Sequence, residues 1–152
     1  MALRIIAFLL INFGALAIGG LATSGGVASF WYQNLNQAPW TPPGWVFGAA
    51  WTFVMLTYAV YMADLWPRVK NQKLLLALFS LQWVLNVAWN PIFFTLHEVL
   101  LALVTISALT ILIAAFVITY ATASRSKTLL ILPYFFWLLI ATSLNAFIYL
   151  KN

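Results

Sequence analysis

Five long apolar segments dominate this sequence of 152 residues. An α-helix needs about 20 apolar residues to cross the hydrocarbon core of a bilayer. The chain is 65% hydrophobic and 6% charged, with a mean hydropathy of +1.01, so it is too apolar for a water-soluble domain. We predict an all-α membrane protein with one domain, residues 1–152, built as a bundle of five transmembrane helices. The predicted spans are residues 4–23, 44–66, 73–95, 99–121 and 129–150.

The segments between these spans are expected to differ in length. Residues 24–43 form the one long connection, a loop between the first and second helices, and the other three links are short. Short links predict that consecutive helices run antiparallel and pack side by side. These links are Trp66-Pro67, Leu96-His97-Glu98 and Ser124-Arg125-Ser126-Lys127.

The first span has a competing interpretation. Arg4 precedes an apolar stretch that ends in small residues, a pattern that is also typical of a signal peptide. We favour a first transmembrane helix, and the predicted orientation of the chain depends on it.

The distribution of basic residues predicts that orientation. Six of the seven basic residues lie on one side, and only Lys151 lies on the other. Positive charge marks the cytoplasmic side, so we expect a cytoplasmic N-terminus and cytoplasmic loops 2 and 4, with loop 1 and the C-terminus opposite. Because the basic residues are dispersed, the pI of about 9.8 does not indicate a nucleic-acid partner. The six are Arg4, Arg68, Lys70, Lys73, Arg125 and Lys127.

Groups for conventional catalysis are scarce. Asp64 and Glu98 are the only acids, His97 is the only histidine, and cysteine is absent. A carboxylate pair for acid–base work, a three-ligand metal site or a nucleophile beside a base would need residues that this chain lacks. We interpret His97 and Glu98 as a solvated turn, and we expect neither a metal nor a required cofactor.

Residues 38–51 combine three tryptophans and three prolines at the start of the second span. Prolines fix their own φ and push the preceding residue toward extended backbone, so Pro39 to Pro43 should form a stiff lead-in, with Pro43 as the first helical residue. Phe47 and Trp51 then begin an aromatic stripe on one helix face. We predict that this segment is the lid and one wall of a ligand pocket.

Amide and aromatic side chains recur at helical spacing on the third and fifth spans. A single amide in hydrocarbon is often a bridge between helices, whereas three on one stripe favour a lined cavity. On the fifth span, Trp137 lies one turn from Ala141, which sets a large ring beside a small gap for a flat ligand. An interfacial aromatic belt is the alternative, and it explains Trp31, Trp45, Trp66 and Tyr149. The two stripes are Gln82, Asn86, Asn90 and Phe93, and Tyr134, Trp137, Ala141, Asn145 and Ile148.

Small residues on the first and fourth spans predict close helix packing. Ala15 and Gly19 carry this pattern on the first span, and Ser107 and Thr110 on the fourth. We interpret the fourth helix as scaffold, and either surface is a candidate for a homodimer contact.

Four motifs resemble the tryptophan-rich sensory protein/translocator protein family (TspO/MBR), in the order and spacing typical of that family. The likeness extends from Trp31 to Tyr149. The motifs are WTPPGWVFG at residues 40–48, NVAWNPIFF at 86–94, PYFFW at 133–137 and ATSLN at 141–145.

The resemblance implies a five-helix bundle, commonly dimeric, in the lipid membrane, with an internal pocket that binds porphyrins (protoporphyrin IX or haem) or isoquinoline-carboxamide drugs. It assigns porphyrin binding and light-dependent porphyrin breakdown to Trp51 and Trp137, pocket contacts to Asn86 and Ala141, and lid contacts to the loop. The full expected ligand set is Tyr32, Trp40, Pro42, Phe47, Trp51, Asn86, Asn90, Phe93, Trp137, Ala141 and Asn145.

Two local patterns qualify this resemblance. The family usually has a lysine and then a proline ahead of the lid tryptophan, whereas residues 35–40 read LNQAPW, with no lysine and with the proline shifted. A cationic contact to a porphyrin carboxylate is therefore not expected there. Leu144, Tyr149 and Lys151 satisfy a loose sterol-binding pattern that matches readily by chance, so sterol binding is a weaker expectation.

Three functions follow as hypotheses. The first is a membrane binding protein that senses or transports a porphyrin or a similar flat ligand. The second is a light- and oxygen-dependent porphyrin-degrading enzyme, in which Trp51 and Trp137 are the oxidisable groups. The third is a regulatory partner of another membrane protein.

Overall fold

The computed structural model describes residues 1–123 and 127–152, so most of the predicted fourth link, including Arg125, lies outside the described residues. In this part of the chain there are six α-helices and no strand, and five of the helices are long and apolar enough to cross a membrane. The chain is thus a multi-pass membrane protein with five spans, as predicted. The helices are α1 (Ala2–Val27), α2 (Phe30–Gln33), α3 (Gly44–Leu65), α4 (Gln72–Phe94), α5 (Val99–Tyr120) and α6 (Leu132–Lys151), and a 3₁₀ turn (Thr128–Leu130) precedes α6.

The connection between the first two spans is shorter and more ordered than a long loop. α1 continues to Val27, and the single turn of α2 follows, capped by the Ser29 hydroxyl, which accepts a hydrogen bond from the backbone N–H of Tyr32 at 3.2 Å. The predicted long loop is therefore not confirmed. The proline-rich lead-in does end at Pro43, but as the N-cap with extended ψ of 146°, and Gly44 is the first helical residue.

Packing arranges the membrane-crossing helices in a ring. α1 packs against α3 and α4, α4 against α5, α5 against α6, and α6 against α3. Side-by-side packing is confirmed for α4 with α5 and for α5 with α6. It is wrong for α3 and α4, whose backbones α1 separates. The link 66–71 reaches about 20 Å at about 3.3 Å per residue, which is enough to pass one helix about 10 Å wide.

One half of the ring is filled. This half includes Arg4 and Arg68, and we call its outer surface the basic end. Tyr58 is fully buried there, with its ring 5.3 Å from that of Tyr134 and 6.0 Å from that of Phe79. These contacts join α3, α6 and α4 in one aromatic core.

A buried carboxylate closes the basic end. Asp64, in the last turn of α3, is 6% exposed and accepts hydrogen bonds from Arg68 at 2.9 Å and Lys127 at 3.0 Å. The bond to Asp64 raises the pKa of the Arg68 guanidinium. Lys127 lies just before α6, so the carboxylate fastens α3 to the segment that leads into α6.

Candidate ligand-binding site

The other half of the ring encloses a cavity of about 830 Å³. Its walls are the ends of α1, α3, α4 and α6 that adjoin the connection 28–43, and we call this end of the bundle the loop end. Only Ile106 reaches it from α5, which agrees with a scaffold role for that helix. The volume lies within the range of about 300–1,000 Å³ that is common for small-molecule sites.

Three aromatic rings form one corner of the cavity. Phe47 and Trp51 lie one turn apart on α3, and Trp137 faces them from α6. The Trp137 ring lies 5.5 Å from Phe47 at 79° and 6.4 Å from Trp51 at 83°, so both contacts are edge-to-face. Perpendicular rings in contact leave no parallel slot between them. A flat ligand can therefore stack on one indole and meet the edge of the other.

The indole N–H of Trp137 is buried without a hydrogen-bond partner among the described residues. The side chain is only 7% exposed, and it lines the cavity. An indole nitrogen is a donor only, and a buried donor without a partner costs about 1–3 kcal/mol. The nitrogen itself is shielded, so this indole presents its ring and not its N–H to the cavity.

The amide side chains of the α4 stripe lie in two environments, the cavity wall and the packed core. Asn86 and Asn90 line the cavity together with Phe93, whereas Gln82 lies below it and donates a hydrogen bond to the Tyr134 hydroxyl at 2.7 Å. Within the described part of the chain, no hydrogen bond engages the side-chain amide of Asn86. Its polar atoms are therefore available to a ligand.

Asn90 is engaged on both sides. Its Oδ1 accepts a hydrogen bond from the Thr23 hydroxyl of α1 at 2.7 Å, and its Nδ2 donates to the backbone carbonyl of Asn86 at 3.1 Å. Asn145 is similarly occupied, because its Oδ1 accepts from the Trp89 indole at 2.9 Å and its Nδ2 donates to the carbonyl of Val99 at 3.2 Å. Both residues line the cavity and also bridge helices.

The loop contributes two of its three expected contacts. Tyr32 and Pro42 line the cavity, and burial raises the pKa of Tyr32, so its hydroxyl remains a protonated donor. Trp40 does not line the cavity. It is 54% exposed and lies on the outside of α6, where its indole donates a hydrogen bond to the Ser143 hydroxyl at 3.1 Å and its ring meets that of Phe147.

A match to the family model described as "TspO/MBR family" spans residues 6–150, nearly the whole chain. The chain belongs to the TspO/MBR family. The resemblance seen in the four motifs is thereby confirmed.

Named relatives of the TspO/MBR family align with most of this chain. It is 37% identical over 123 residues to the tryptophan-rich protein TspO of Archaeoglobus fulgidus, covering 80% of each protein. It is 33% identical over 134 residues to the tryptophan-rich sensory protein of Cereibacter sphaeroides, covering 85% of this chain and 82% of the relative. It is 31% identical over 126 residues to the human translocator protein, covering 80% of this chain and 75% of the relative.

Ten of the eleven residues in the expected ligand set line the cavity of this TspO/MBR protein, and Trp40 is the exception. Sequence analysis missed the contribution of α1, which supplies residues from Ala15 to Val27. The available signal was the concentration of small residues near the end of that span, of which Ala15 and Gly19 were interpreted only as close packing.

The cavity of this TspO/MBR protein has no charged side chain among its described lining residues. Asp64 lies at the basic end, while His97 and Glu98 are exposed in the turn between α4 and α5. The His97 ring stacks on Trp31, with centroids 4.1 Å apart and planes at 18°. The lining can therefore bind through aromatic stacking, neutral hydrogen bonds and apolar burial.

Proposed function

We propose that this TspO/MBR protein binds a flat, largely apolar ligand that carries a hydrogen-bond acceptor, in particular a porphyrin such as protoporphyrin IX or haem, for sensing or transport. The observation that carries the proposal is a ligand-sized cavity that combines the aromatic corner of Phe47, Trp51 and Trp137 with an amide side chain. That amide belongs to Asn86, which makes no side-chain hydrogen bond among the described residues and offers a neutral polar contact.

The lining also determines how such a ligand would lie. Because no described lining residue is charged, a carboxylate inside the cavity would have no cation to offset the cost of burying its charge. The exposed amides of Gln33 and Gln37 line the cavity at the loop end. We therefore place the acidic groups of a porphyrin toward these amides and water, with the ring system against Trp51 and Trp137.

Titration of the reconstituted protein with protoporphyrin IX, followed by quenching of tryptophan fluorescence, tests the proposal. Trp137→Phe replaces the indole by a smaller ring, and we expect it to weaken binding about five- to tenfold, because less aromatic surface remains to stack on the ligand. Trp45→Phe is the matched control, because Trp45 is 75% exposed and does not line the cavity. Wild-type affinity in Trp137→Phe would contradict the proposal.

Light-dependent porphyrin breakdown is a second candidate function. It is favoured by the contact between the Trp51 and Trp137 indoles at the cavity wall, since both groups are oxidisable and line the cavity. Illuminating the complex in air should then produce a new bilin-like absorption faster than illumination of free porphyrin. Equal bleaching rates would exclude an enzymatic role.

We also propose that the basic end faces the cytoplasm and the loop end the opposite side. The charge distribution supports this orientation, because Arg4, Arg68, Lys70 and Lys73 adjoin the basic end and Lys151 lies at the other. Phe8 of α1 contacts Trp66 beyond α3, with ring centroids 6.1 Å apart, which agrees with this grouping.

A further inference from the structure

The cavity extends to the outer surface between α1 and α3. Five small residues line it from these two helices and are exposed or half-buried in the folded chain, and we call this set the side opening: Gly20, Ser24, Gly44, Gly48 and Thr52. Thr52 lies eight residues into α3, about 12 Å from its start at 1.5 Å per residue. The side opening therefore reaches below the membrane surface, to the depth of the hydrocarbon layer.

The glycines of the side opening border empty space. A Cβ atom built on Gly20, Gly44 or Gly48 would meet no side chain and no neighbouring helix within 4 Å. By contrast, a Cβ on Gly19 would lie 2.6 Å from the Asn90 amide, and one on Gly26 would overlap the Phe94 side chain. One face of α1 is thus pressed against α4, while the face toward α3 is open.

Contacts along α1 show the same asymmetry. Near the basic end, Phe8 meets Trp66 and Asn12 donates a hydrogen bond to the carbonyl of Met55 at 3.3 Å, so α1 and α3 are in direct contact there. Toward the loop end, the contacts described above join Gly19, Thr23 and Gly26 to α4. The two helices meet near the basic end and flank the cavity at the loop end.

The loop is fastened on the opposite side of the cavity. Asn36 and Asn152 exchange hydrogen bonds, with the Asn36 N–H donating to Asn152 Oδ1 at 2.9 Å and Asn152 Nδ2 donating to the Asn36 carbonyl at 3.3 Å. Trp40 adds its bond to Ser143. These bonds fasten the loop to α6, and none of them lies between α1 and α3.

We propose that the ligand reaches the cavity sideways from the bilayer, through the side opening between α1 and α3, and not from water past the lid. This inference rests on the proposed function, and it narrows the ligand class to molecules that partition into the hydrocarbon layer before they bind. An apolar ring system enters first, and inside it meets the rings of Trp51 and Trp137 and the amide of Asn86.

Plugging the side opening tests this route. In vesicles of phosphatidylcholine, stopped-flow quenching of tryptophan fluorescence gives the association and dissociation rates of protoporphyrin IX. We expect Gly20→Leu and Gly48→Leu each to slow both rates about tenfold, because a blocked path slows entry and exit alike. Gly14→Leu and Gly25→Leu are matched controls, since neither glycine lines the cavity and neither has a close neighbour.

Rates for the plugged variants that equal those of the controls would overturn the side route. A raised Kd with faster dissociation would also overturn it, because these positions would then be pocket contacts. If one of the two variants does not unfold cooperatively, the other still tests the route, because the two substitutions lie on different helices.

A second measurement separates this inference from the proposed function. In vesicles of phosphatidylcholine brominated on the acyl chains, bromine atoms that enter the side opening quench Trp51 and Trp137 without any porphyrin. We expect the double variant Gly20→Leu/Gly48→Leu to relieve part of the quenching, and Gly14→Leu/Gly25→Leu to leave it unchanged. If the wild-type protein does not bind protoporphyrin IX, the proposed function is wrong, but the quenching by brominated lipid still tests the side opening. Quenching in Gly20→Leu/Gly48→Leu that equals the wild-type value would show that the side opening is not accessible from the bilayer.

Discussion

Asn86 and Asn90 are the same residue type one turn apart on α4, and the protein uses them differently. The side-chain amide of Asn90 forms hydrogen bonds with the Thr23 hydroxyl and with the backbone carbonyl of Asn86. The side-chain amide of Asn86 has no hydrogen bond among the described residues. Both line the cavity. In a bilayer, an amide that joins two helices contributes to stability, while an unpaired amide beside a cavity is a cost that a ligand can offset.

Leucine has the same number of side-chain heavy atoms as asparagine but no polar atom, so it separates these two roles. Asn90→Leu should lower stability by about 1 kcal/mol, because it removes the tie between α4 and α1. Asn86→Leu should leave the unfolding temperature at or above that of wild type but weaken protoporphyrin IX binding about fivefold. Thermal unfolding in detergent and fluorescence titration check the pair, and equal effects of both substitutions on stability would contradict the assignment.

The stripe of amides on α4 was predictable, but this division was not. Spacing of four residues places Asn86 and Asn90 on one face in any α-helix. Which of them finds a partner depends on where Thr23 of α1 lies, and that is a property of the packed bundle. Trp40 illustrates the same limit, since its motif position predicted a pocket contact, yet its indole bonds to Ser143 on the outside of α6.

At the scale of elements, α1 carries two kinds of glycine. Gly19 and Gly26 are seven residues apart, so they share a helix face, and that face is pressed against α4. Gly14, Gly20 and Gly25 have no close neighbour on the described chain. Only Gly19 and Gly26 are required for the close approach of the α1 and α4 backbones.

Alanine substitution distinguishes the two kinds. Gly26→Ala should destabilise the protein by about 1–3 kcal/mol, because the added methyl group overlaps Phe94 next to its backbone. Gly25→Ala, one position earlier, should be neutral or more stable by up to about 1 kcal/mol, owing to the better helix propensity of alanine. The difference in unfolding temperature between these neighbours is the measurement, and similar values for both would refute close packing at Gly26.

The lengths of the links predicted only some of the helix pairs that pack side by side. Turns as short as that between α4 and α5 leave no alternative to side-by-side packing. The link 66–71 is long enough to pass around another helix, and α1 fills the place between α3 and α4. Length alone sets an upper limit on separation, so the ring order had to come from the structure.

The whole molecule is a bundle that is filled at the basic end and hollow at the loop end. Five spans were predictable from the length of the apolar segments. The family and most of the aromatic and amide lining were predictable from the four motifs and from helical spacing, although Gln33, Gln37, Trp89 and Phe94 were missed. The cavity itself was a hypothesis from the number of amides. Its contribution from α1 was missed, since small residues serve close packing and open space equally well.

Orientation in the membrane is testable because the chain has no cysteine. Lys70→Cys places a thiol at the basic end and Gln37→Cys places one at the loop end. In sealed cells, a membrane-impermeant maleimide should label Gln37→Cys and spare Lys70→Cys, and lysis should make both reactive. The reverse labelling pattern would show that the basic end faces outward.

The position of α1 between α3 and α4 also bears on the order of assembly. α1 is the first span to be synthesised, yet its partner α4 follows only after α3 has left the ribosome. α3 packs against α1 as soon as it follows it along the chain, and α4 then adds to the other side of α1. Assembly in chain order thus builds the ring outward from α1, and the contact of α6 with α3 closes it last.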